Sequence, residues 1–188
     1  MRLDARDKRI LLALYPLAFA AIALTIYHVP DYFYLKWVTA VNSAWILKAL
    51  GFQAAAWTAG RRAFINEVEI VKDCTGIQVV AVFAGLLVPM PGIRPVRKLQ
   101  ALGLIFLAVY VANVFRIVLE LWLLYSGILP WSLAHEPLGT VLGVISVAIF
   151  LVAVNHYIPQ VGDYIVAGYE YVKSLLKRMR KRGVRVLG

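Results

Sequence analysis

Three residues of this sequence have side chains that together could catalyse acyl transfer: Cys74, Arg116 and His135. A cysteine thiolate is a strong nucleophile, and an imidazole that is neutral near pH 7 can take the proton from a thiol. A guanidinium can stabilise the oxyanion that forms when a carbonyl is attacked. The three residues lie in separate segments, so this chemistry requires a fold that brings them together.

Cys74 is the only cysteine of the chain, so it has no partner for an intramolecular disulfide. It stands in Val68–Gln78, where a polar segment meets an apolar one, and we expect a helix to begin near Thr75. The unpaired N–H groups and the dipole at a helix start favour a thiolate. Position alone leaves two interpretations open, a reactive thiol and a small, buried, inert side chain.

Arg116 and Glu120 are charged residues within a long apolar segment. A charge at that depth of a membrane costs about 2.5–3.5 kcal/mol on insertion scales, so an arginine there is a functional hypothesis by default. The structural alternative is an ion pair between Arg116 and Glu120 at i,i+4, to which Asn113 adds a hydrogen bond.

His135 precedes the last apolar segment and is the first candidate for a general base. Taken alone, a loop histidine beside Glu136 is more often a solvated side chain. His28, which follows the first apolar segment, stays open as an alternative base. We expect His156 to lie at the inner membrane interface without a role in chemistry.

The composition predicts an integral membrane protein, because 62% of the residues are hydrophobic and only 16% are charged. The net charge of +10 is concentrated in short basic flanks. Such flanks are typical of cytoplasmic ends and of contact with anionic lipid, rather than of nucleic-acid binding. The sequence has no metal-ligand cluster, no glycine-rich phosphate loop and no serine elbow, so we expect neither a metal nor a cofactor.

The sequence predicts a single membrane domain over residues 1–188, an all-α polytopic bundle of about four to five spans. Apolar runs approach the roughly 20 residues that a helix needs to cross a bilayer core. The predicted spans are residues 10–28, 75–91, 99–125 and 138–158.

Two further segments are predicted outside those spans. Residues 31–50 are interrupted by Lys36, Asn42 and Lys48, so we predict an interfacial or partly inserted helix, with a true span as the alternative. Residues 51–73 contain a turn signal at Gly60 and then alternate with the period of a strand. They predict a small extracytoplasmic β-hairpin that ends before the cysteine.

The charges of the flanking segments and the number of membrane crossings together predict the topology. Residues 1–9, the loop at 92–98 and the tail at 159–188 are basic and are expected inside. Four spans satisfy all three constraints, whereas a fifth span would move one terminus to the wrong side. The hairpin, the cysteine and the outer loop at 126–137 then share the outer face of the cell membrane. At about 1.5 Å per residue, Arg116 lies roughly 25 Å from the inner end of its helix, near the same level.

The order of these features resembles the exosortase and archaeosortase family of membrane cysteine transpeptidases. A hairpin is followed by Cys74-Thr75-Gly76-Ile77-Gln78, then by Asn113-x-x-Arg116, then by a histidine. The Cys-Thr-Gly form is similar to the archaeal branch, whereas bacterial members more typically have Cys-Ser-Gly. The resemblance covers roughly residues 51–143, and the motifs are specific in combination rather than singly.

The resemblance implies an enzyme that cleaves a C-terminal sorting signal from secreted proteins. Such signals consist of a short motif such as Pro-Gly-Phe or Pro-Glu-Pro, a transmembrane helix and a basic end. Cys74 would form a thioester, and Arg116 would bind the oxyanion or orient the thiol. His135 would act as base and then as acid, although some archaeal members use a second arginine there. A lipid-linked or similar amine would accept the acyl group. The supporting residues would be Asn113, beside Arg116, and Thr75, Gly76 and Glu120.

Two other functions stay open on the sequence. The first is a non-enzymatic membrane scaffold or assembly partner, in which Arg116 and Glu120 form a structural pair and Cys74 packs. The second is an intramembrane cysteine peptidase that hydrolyses its substrate without transfer.

Overall fold

The computed structural model describes residues 5–128, 130 and 136–184, and within them the chain is mostly helical with one small sheet. The fold class predicted from the sequence is therefore confirmed in its helical character and in the presence of strands. In chain order the elements are α1 (Ala5–His28), α2 (Phe33–Ala49), β1 (Ala56–Ala59), β2 (Arg62–Ile65), β3 (Val68–Ile70), a 3-10 helix (Lys72–Thr75), α3 (Ile77–Leu87), α4 (Pro95–Tyr125), α5 (Glu136–Tyr157) and α6 (Gln160–Val184).

Helices occupy all four segments that were predicted to span the membrane. Among the described residues, Pro95–Tyr125 and Thr140–Tyr157 are long and apolar enough to cross a bilayer. The apolar part of α1, Leu14–His28, and the whole of α3 are shorter. The 11 residues of α3 cover only about 16 Å, roughly half of a hydrocarbon core. The count of four to five spans thus stays a prediction.

The sheet has three antiparallel strands in the order β1-β2-β3, so the predicted hairpin is extended by a third strand. Gly60 forms the first turn with a φ of 59°, at the position that the sequence indicated. The second turn is made by Asn66, with a φ of 50°. The Asn66 side chain accepts from the Ala55 N–H and donates to the Gln53 carbonyl, both at 2.9 Å. Asparagine tolerates the left-handed region because its side chain can bond locally in this way.

The segment at 31–50 forms α2, which packs one face against the sheet and α4. Two of its three interrupting polar residues have protein partners. Lys36 Nζ lies 3.6 Å from the Asp31 carboxylate and donates to the Arg61 carbonyl at 3.1 Å. Asn42 donates to the Tyr110 hydroxyl at 2.6 Å. The location of α2 at the membrane interface stays a prediction, but these partners lower the cost of placing the helix near lipid.

The buried residues form two hydrophobic clusters. The first joins α2, the sheet and the second half of α4, and it contains Cys74 with Leu47, Ile65, Ile70, Ile117 and Leu121. The second joins α3, the first half of α4 and the α5–α6 junction, with Phe83, Leu87, Met90, Ile105, Val154 and Val161. The cysteine is therefore part of the cluster that fixes the sheet against α4.

Helix α1 packs along α3 at very short range. A Cβ added to Gly85 would lie 2.8 Å from the Phe19 carbonyl oxygen, so only glycine allows this approach. Small residues serve the same purpose at many helix contacts in membranes, where close backbone packing replaces the hydrophobic effect.

The segment predicted only as a basic tail is largely helical, as α6. Its start is fixed to the core, because Val161 is fully buried and the Gly162 N–H donates to Asn155 Oδ1 at 2.8 Å. Further along, apolar residues recur at helical spacing and are exposed: Ile165 by 44%, Val172 by 54% and Leu176 by 61%. This periodicity makes α6 amphipathic, with basic residues in its second half.

Candidate active site

Cys74 lies in the 3-10 helix between the sheet and α3, not at the first turn of α3. The Cys74 N–H donates to the Val71 carbonyl at 3.0 Å, and the Thr75 hydroxyl donates to the Lys72 carbonyl at 2.6 Å. These bonds close a tight turn around the cysteine. The helix expected to begin near Thr75 begins instead at Ile77, because Gly76 adopts a left-handed conformation.

Gly76 is required by two independent constraints. Its φ is 71°, and a Cβ added there would lie 2.7 Å from Val109 Cγ1 on α4. Glycine is the residue that adopts positive φ without steric cost, and it alone leaves room for the neighbouring helix. The Thr-Gly pair after the cysteine therefore has a structural explanation, since Thr75 closes the turn and Gly76 lets it sit against α4.

Asn113 on α4 holds the main chain of the cysteine. Its Nδ2 donates to the Cys74 carbonyl, and both residues are buried. Asn113 was expected to support Arg116. The structure connects its amide with the Cys74 carbonyl, so Asn113 holds the cysteine segment directly against α4.

Cys74 and Arg116 line one cavity of ≈ 770 Å³. One turn of α4 separates Arg116 from Asn113, so the helix that anchors the Cys74 main chain also delivers the guanidinium. The other wall of the cavity comes from α5, through Thr140, Gly143, Val144 and Val147. The convergence of thiol and cation that the sequence suggested is thus present in the fold.

The ion pair between Arg116 and Glu120 is also present. Arg116 Nε lies 3.5 Å from Glu120 Oε1, and the two side chains are only 17% and 3% exposed. The pair neutralises two charges inside α4, as the structural interpretation requires. Because Arg116 also lines the cavity, its charge is available both to Glu120 and to a group bound in the cavity.

Burial raises the pKa of the Cys74 thiol, and this effect is larger than the opposing effect of the Arg116 guanidinium. The hydrogen bond with Val71 also lowers this pKa, whereas Glu120 and Asp73 raise it. The expectation that a helix start would favour the thiolate is therefore outweighed by desolvation. Desolvation therefore favours the protonated thiol, so a nucleophilic role requires a base.

His135 lies outside the described residues, one position before α5. His28, the alternative base, is exposed at the end of α1, and its ring contacts that of Tyr27 edge to face at 4.8 Å. The Tyr27 hydroxyl donates to Asp73 Oδ1. The end of α1 is thereby tied to the residue before the cysteine. His156 is exposed near the other end of α5.

Sequence reasoning did not single out Gln78 or Asp73 as site residues, although both line the cavity with Cys74. Gln78 is four residues after the cysteine, a spacing that favours one helix face. Because Gly76 interrupts the helix between the two positions, the spacing alone does not predict that both face one cavity. Among the described residues, no group of three or more His, Cys, Asp or Glu side chains could hold a metal ion.

The fold and the site together define a class: a helical protein with candidate membrane spans, in which a buried cysteine and an arginine of an apolar helix line one cavity. The family model described as transmembrane exosortase matches residues 5–153, which include every candidate site residue. The chain therefore belongs to the transmembrane exosortase family, as the motifs indicated. No curated protein and no solved structure matches the chain.

Proposed function

We propose that this exosortase is a cysteine transpeptidase that processes secreted proteins at the outer face of the cell membrane. Its substrates would carry a C-terminal sorting signal made of a short motif, an apolar helix and a basic end. The apolar helix would hold the motif at the membrane surface, where the cavity beside Cys74 receives it.

In the first step, the thiol of Cys74 loses its proton to a base, for which His135 is the first candidate and His28 the alternative. The sulfur attacks the carbonyl carbon of the scissile peptide bond and forms a tetrahedral oxyanion. Collapse of this intermediate forms the thioester and breaks the C–N bond. The protonated base returns its proton to the leaving amine, which carries away the apolar helix and the basic end.

Arg116 would stabilise the oxyanion. Its side chain is 17% exposed and faces the same cavity as the sulfur, so little water screens its charge. The Glu120 carboxylate, 3.5 Å from Arg116 Nε, would restrict the orientation of the guanidinium.

In the second step, an amine acceptor, lipid-linked or similar, attacks the thioester carbonyl. Its excess proton passes to the base, the C–S bond breaks as the new amide bond forms, and the base returns the proton to the sulfur of Cys74. The secreted protein would thereby become attached to the membrane.

One observation carries the proposal: Cys74, held through its carbonyl by Asn113, shares a cavity with Arg116 in a chain of the exosortase family. The test is co-expression with a reporter protein that ends in a sorting signal. Wild type should remove the signal, and Cys74→Ala should leave it attached. Thr58→Ala, on the exposed strand β1, is the matched control and should process normally.

Processing that continues undiminished in Cys74→Ala would reject the nucleophile and with it the proposal. The mass of the new C-terminus separates transfer from hydrolysis, because an acceptor adds mass and water leaves a free carboxylate. A thioester between enzyme and reporter, released by hydroxylamine, would identify the intermediate directly.

The Arg116–Glu120 ion pair favours a second candidate, a membrane scaffold without catalysis. In that case Cys74 is a packing residue of the first hydrophobic cluster. Labelling with a thiol reagent distinguishes the two, since a scaffold needs no access to the sulfur. A Cys74 that stays unlabelled in cells and in detergent would support the scaffold.

A further inference from the structure

Gln78 carries a buried polar atom that the proposed mechanism leaves unexplained. Its Oε1 is buried and has no hydrogen-bond partner within the described part of the chain. Leaving an acceptor without a partner costs about 1–3 kcal/mol, so an unpaired buried group in a folded protein requires a reason.

The orientation of this amide is defined by its other end. Gln78 Nε2 donates to the Asp73 carbonyl at 3.2 Å. If the amide were reversed, Oε1 would face that carbonyl and two acceptors would meet. The nitrogen is therefore committed to Asp73, and the oxygen is the atom left over.

Gln78 also has a particular place in the site. It lines the cavity of Cys74, and it lines a second cavity of ≈ 240 Å³ between α3, α4 and α5. The residues common to the two cavities are Gln78, Val79, Arg116 and Gly143. An occupant that extends from the sulfur into the second cavity therefore lies next to Gln78.

The second cavity is mainly apolar, with walls formed by Val109, Ala112, Phe115, Leu119, Leu142 and Phe150. An apolar cavity of about 150 Å³ is sufficient to bind a benzene ring. The space is therefore adequate for one side chain of an extended peptide, while the polar groups at its entrance remain available for the main chain.

We propose that Gln78 is a specificity-determining residue that accepts a hydrogen bond from a main-chain N–H of the sorting signal. This inference rests on the proposed function, since it requires a peptide next to Cys74. Because Oε1 is buried, the amide end must rotate to bring it into contact with the peptide, and the peptide N–H then satisfies this acceptor. The enzyme would then discriminate against a signal that lacks this N–H, as at proline or at an N-methylated residue.

The test uses the purified full-length enzyme in detergent and a series of sorting-signal peptides, each N-methylated at one main-chain amide near the cleaved bond. For wild type, we expect one position at which N-methylation slows processing well beyond the other positions, by about two- to tenfold or more. Gln78→Met, which keeps the shape and lacks the acceptor, should slow the unmodified peptide and show no additional loss at that position.

Gln78→Glu is the matched variant: it keeps an acceptor oxygen for the peptide N–H and should retain the discrimination. Its second oxygen cannot donate to the Asp73 carbonyl, so the overall rate should fall. This variant also supplies the answer if Gln78→Met does not fold. The inference is overturned if Gln78→Met discriminates against the same N-methylated peptide as strongly as wild type. It is also overturned if no single position stands out in wild type. Failure of the proposed function gives a different result, because Cys74→Ala would then process the unmodified peptide.

Discussion

At the scale of single residues, the state of the Cys74 thiol depends on two opposing effects within one cavity. Burial raises its pKa and the Arg116 charge lowers it. We expect the alkylation rate of Cys74 to rise with pH through an apparent pKa above the ordinary value of about 8.5, because only the thiolate reacts. Arg116→Ala should move this profile to still higher pH. The measurement is the rate of iodoacetamide labelling in detergent across a pH series.

The unfolded chain provides the reference for that profile, and Arg62→Ala provides the matched variant. Arg62 is an exposed arginine of the sheet that pairs with Glu69, away from the cavity. Its removal should leave the profile of Cys74 unchanged. If Cys74 of the folded protein reacts with an apparent pKa at or below that of the unfolded chain, burial is not the dominant effect on the pKa of the thiol.

The base is the second prediction at this scale. We expect His135→Ala to reduce processing by about 10²–10⁴-fold, the usual contribution of general acid–base catalysis. His28→Ala should have a smaller effect, since His28 is exposed and contacts the site through Tyr27 and Asp73. Processing rates of the two variants with the same reporter decide this. A large loss confined to His28→Ala would assign the base to His28.

The sequence predicted that Cys74 and Arg116 would lie close together, and they line one cavity. It was not sufficient to predict the protonation state of the thiol. The helix-start argument considers local dipoles only, whereas the desolvation of Cys74 comes from residues of α2 and α4 that are distant in sequence. The unpaired Gln78 oxygen depends on tertiary packing for the same reason.

At the scale of elements, Gly76 determines how closely the 3-10 helix approaches α4. Gly76→Ala combines left-handed strain of about 1–2 kcal/mol with overpacking of about 1–3 kcal/mol against Val109. We expect the variant to lose about 2–5 kcal/mol of stability and most of its activity. Unfolding in mixed detergent, followed by circular dichroism, measures the first quantity.

Gly60→Ala separates the two contributions to this loss. Gly60 also has positive φ, at 59°, but a Cβ there meets nothing within 4 Å, so only about 1–2 kcal/mol should be lost. Val109→Ala removes the methyl that causes the clash. The double variant should then be less destabilised than the sum of the two single changes. Simple additivity would contradict the steric explanation.

Helix α6 carries the second prediction at this scale. Its exposed apolar residues and following lysines fit a helix that lies on an anionic membrane surface. In a Cys74→Ser chain, an environment-sensitive dye at Val172→Cys should shift to the blue in nanodiscs containing anionic lipid. Lys173→Glu with Lys177→Glu should weaken this shift, because each lysine contributes about 1 kcal/mol.

A dye at Glu170→Cys is the control for orientation. Glu170 and Val172 lie about 160° apart around the helix, so the first should remain in water while the second enters the lipid. Equal shifts at the two positions, or no dependence on anionic lipid, would contradict a surface-bound α6.

Helix and strand boundaries were predictable where a neighbouring residue in the sequence sets them, and less so where they depend on bonds with more distant residues. Gly60 marked the first turn of the sheet, but Asn66 made the second turn without glycine, through bonds with Ala55 and Gln53. Helix α4 begins at Pro95 rather than Leu99 because proline is favoured at a first helical position, a signal that the basic charges of the loop obscured. The tail was interpreted from its charge, although its apolar residues already recur at helical spacing.

At the scale of the whole molecule, the hydrophobic core of the bundle consists of two separate clusters. The cluster around Cys74 joins α2, the sheet and the second half of α4, whereas the other joins α3 to the junction of α5 and α6. The predicted topology places the first cluster towards the outside and the second towards the inside. Because α3 alone covers about 16 Å, this topology requires the chain at Val88–Pro91 to complete the crossing.

Single-cysteine labelling tests this topology as a whole. In a Cys74→Ser chain, Thr58→Cys on the sheet should react with an impermeant maleimide in intact cells. Val96→Cys at the start of α4, 65% exposed, and Ser174→Cys on α6 should react only after permeabilisation. The Cys74→Ser chain itself should stay unlabelled. Reaction of Val96→Cys from outside would mean that α3 turns back within the membrane. The sheet and the α3–α4 loop would then lie on one side of the membrane, and the number of crossings would no longer place Cys74 outside.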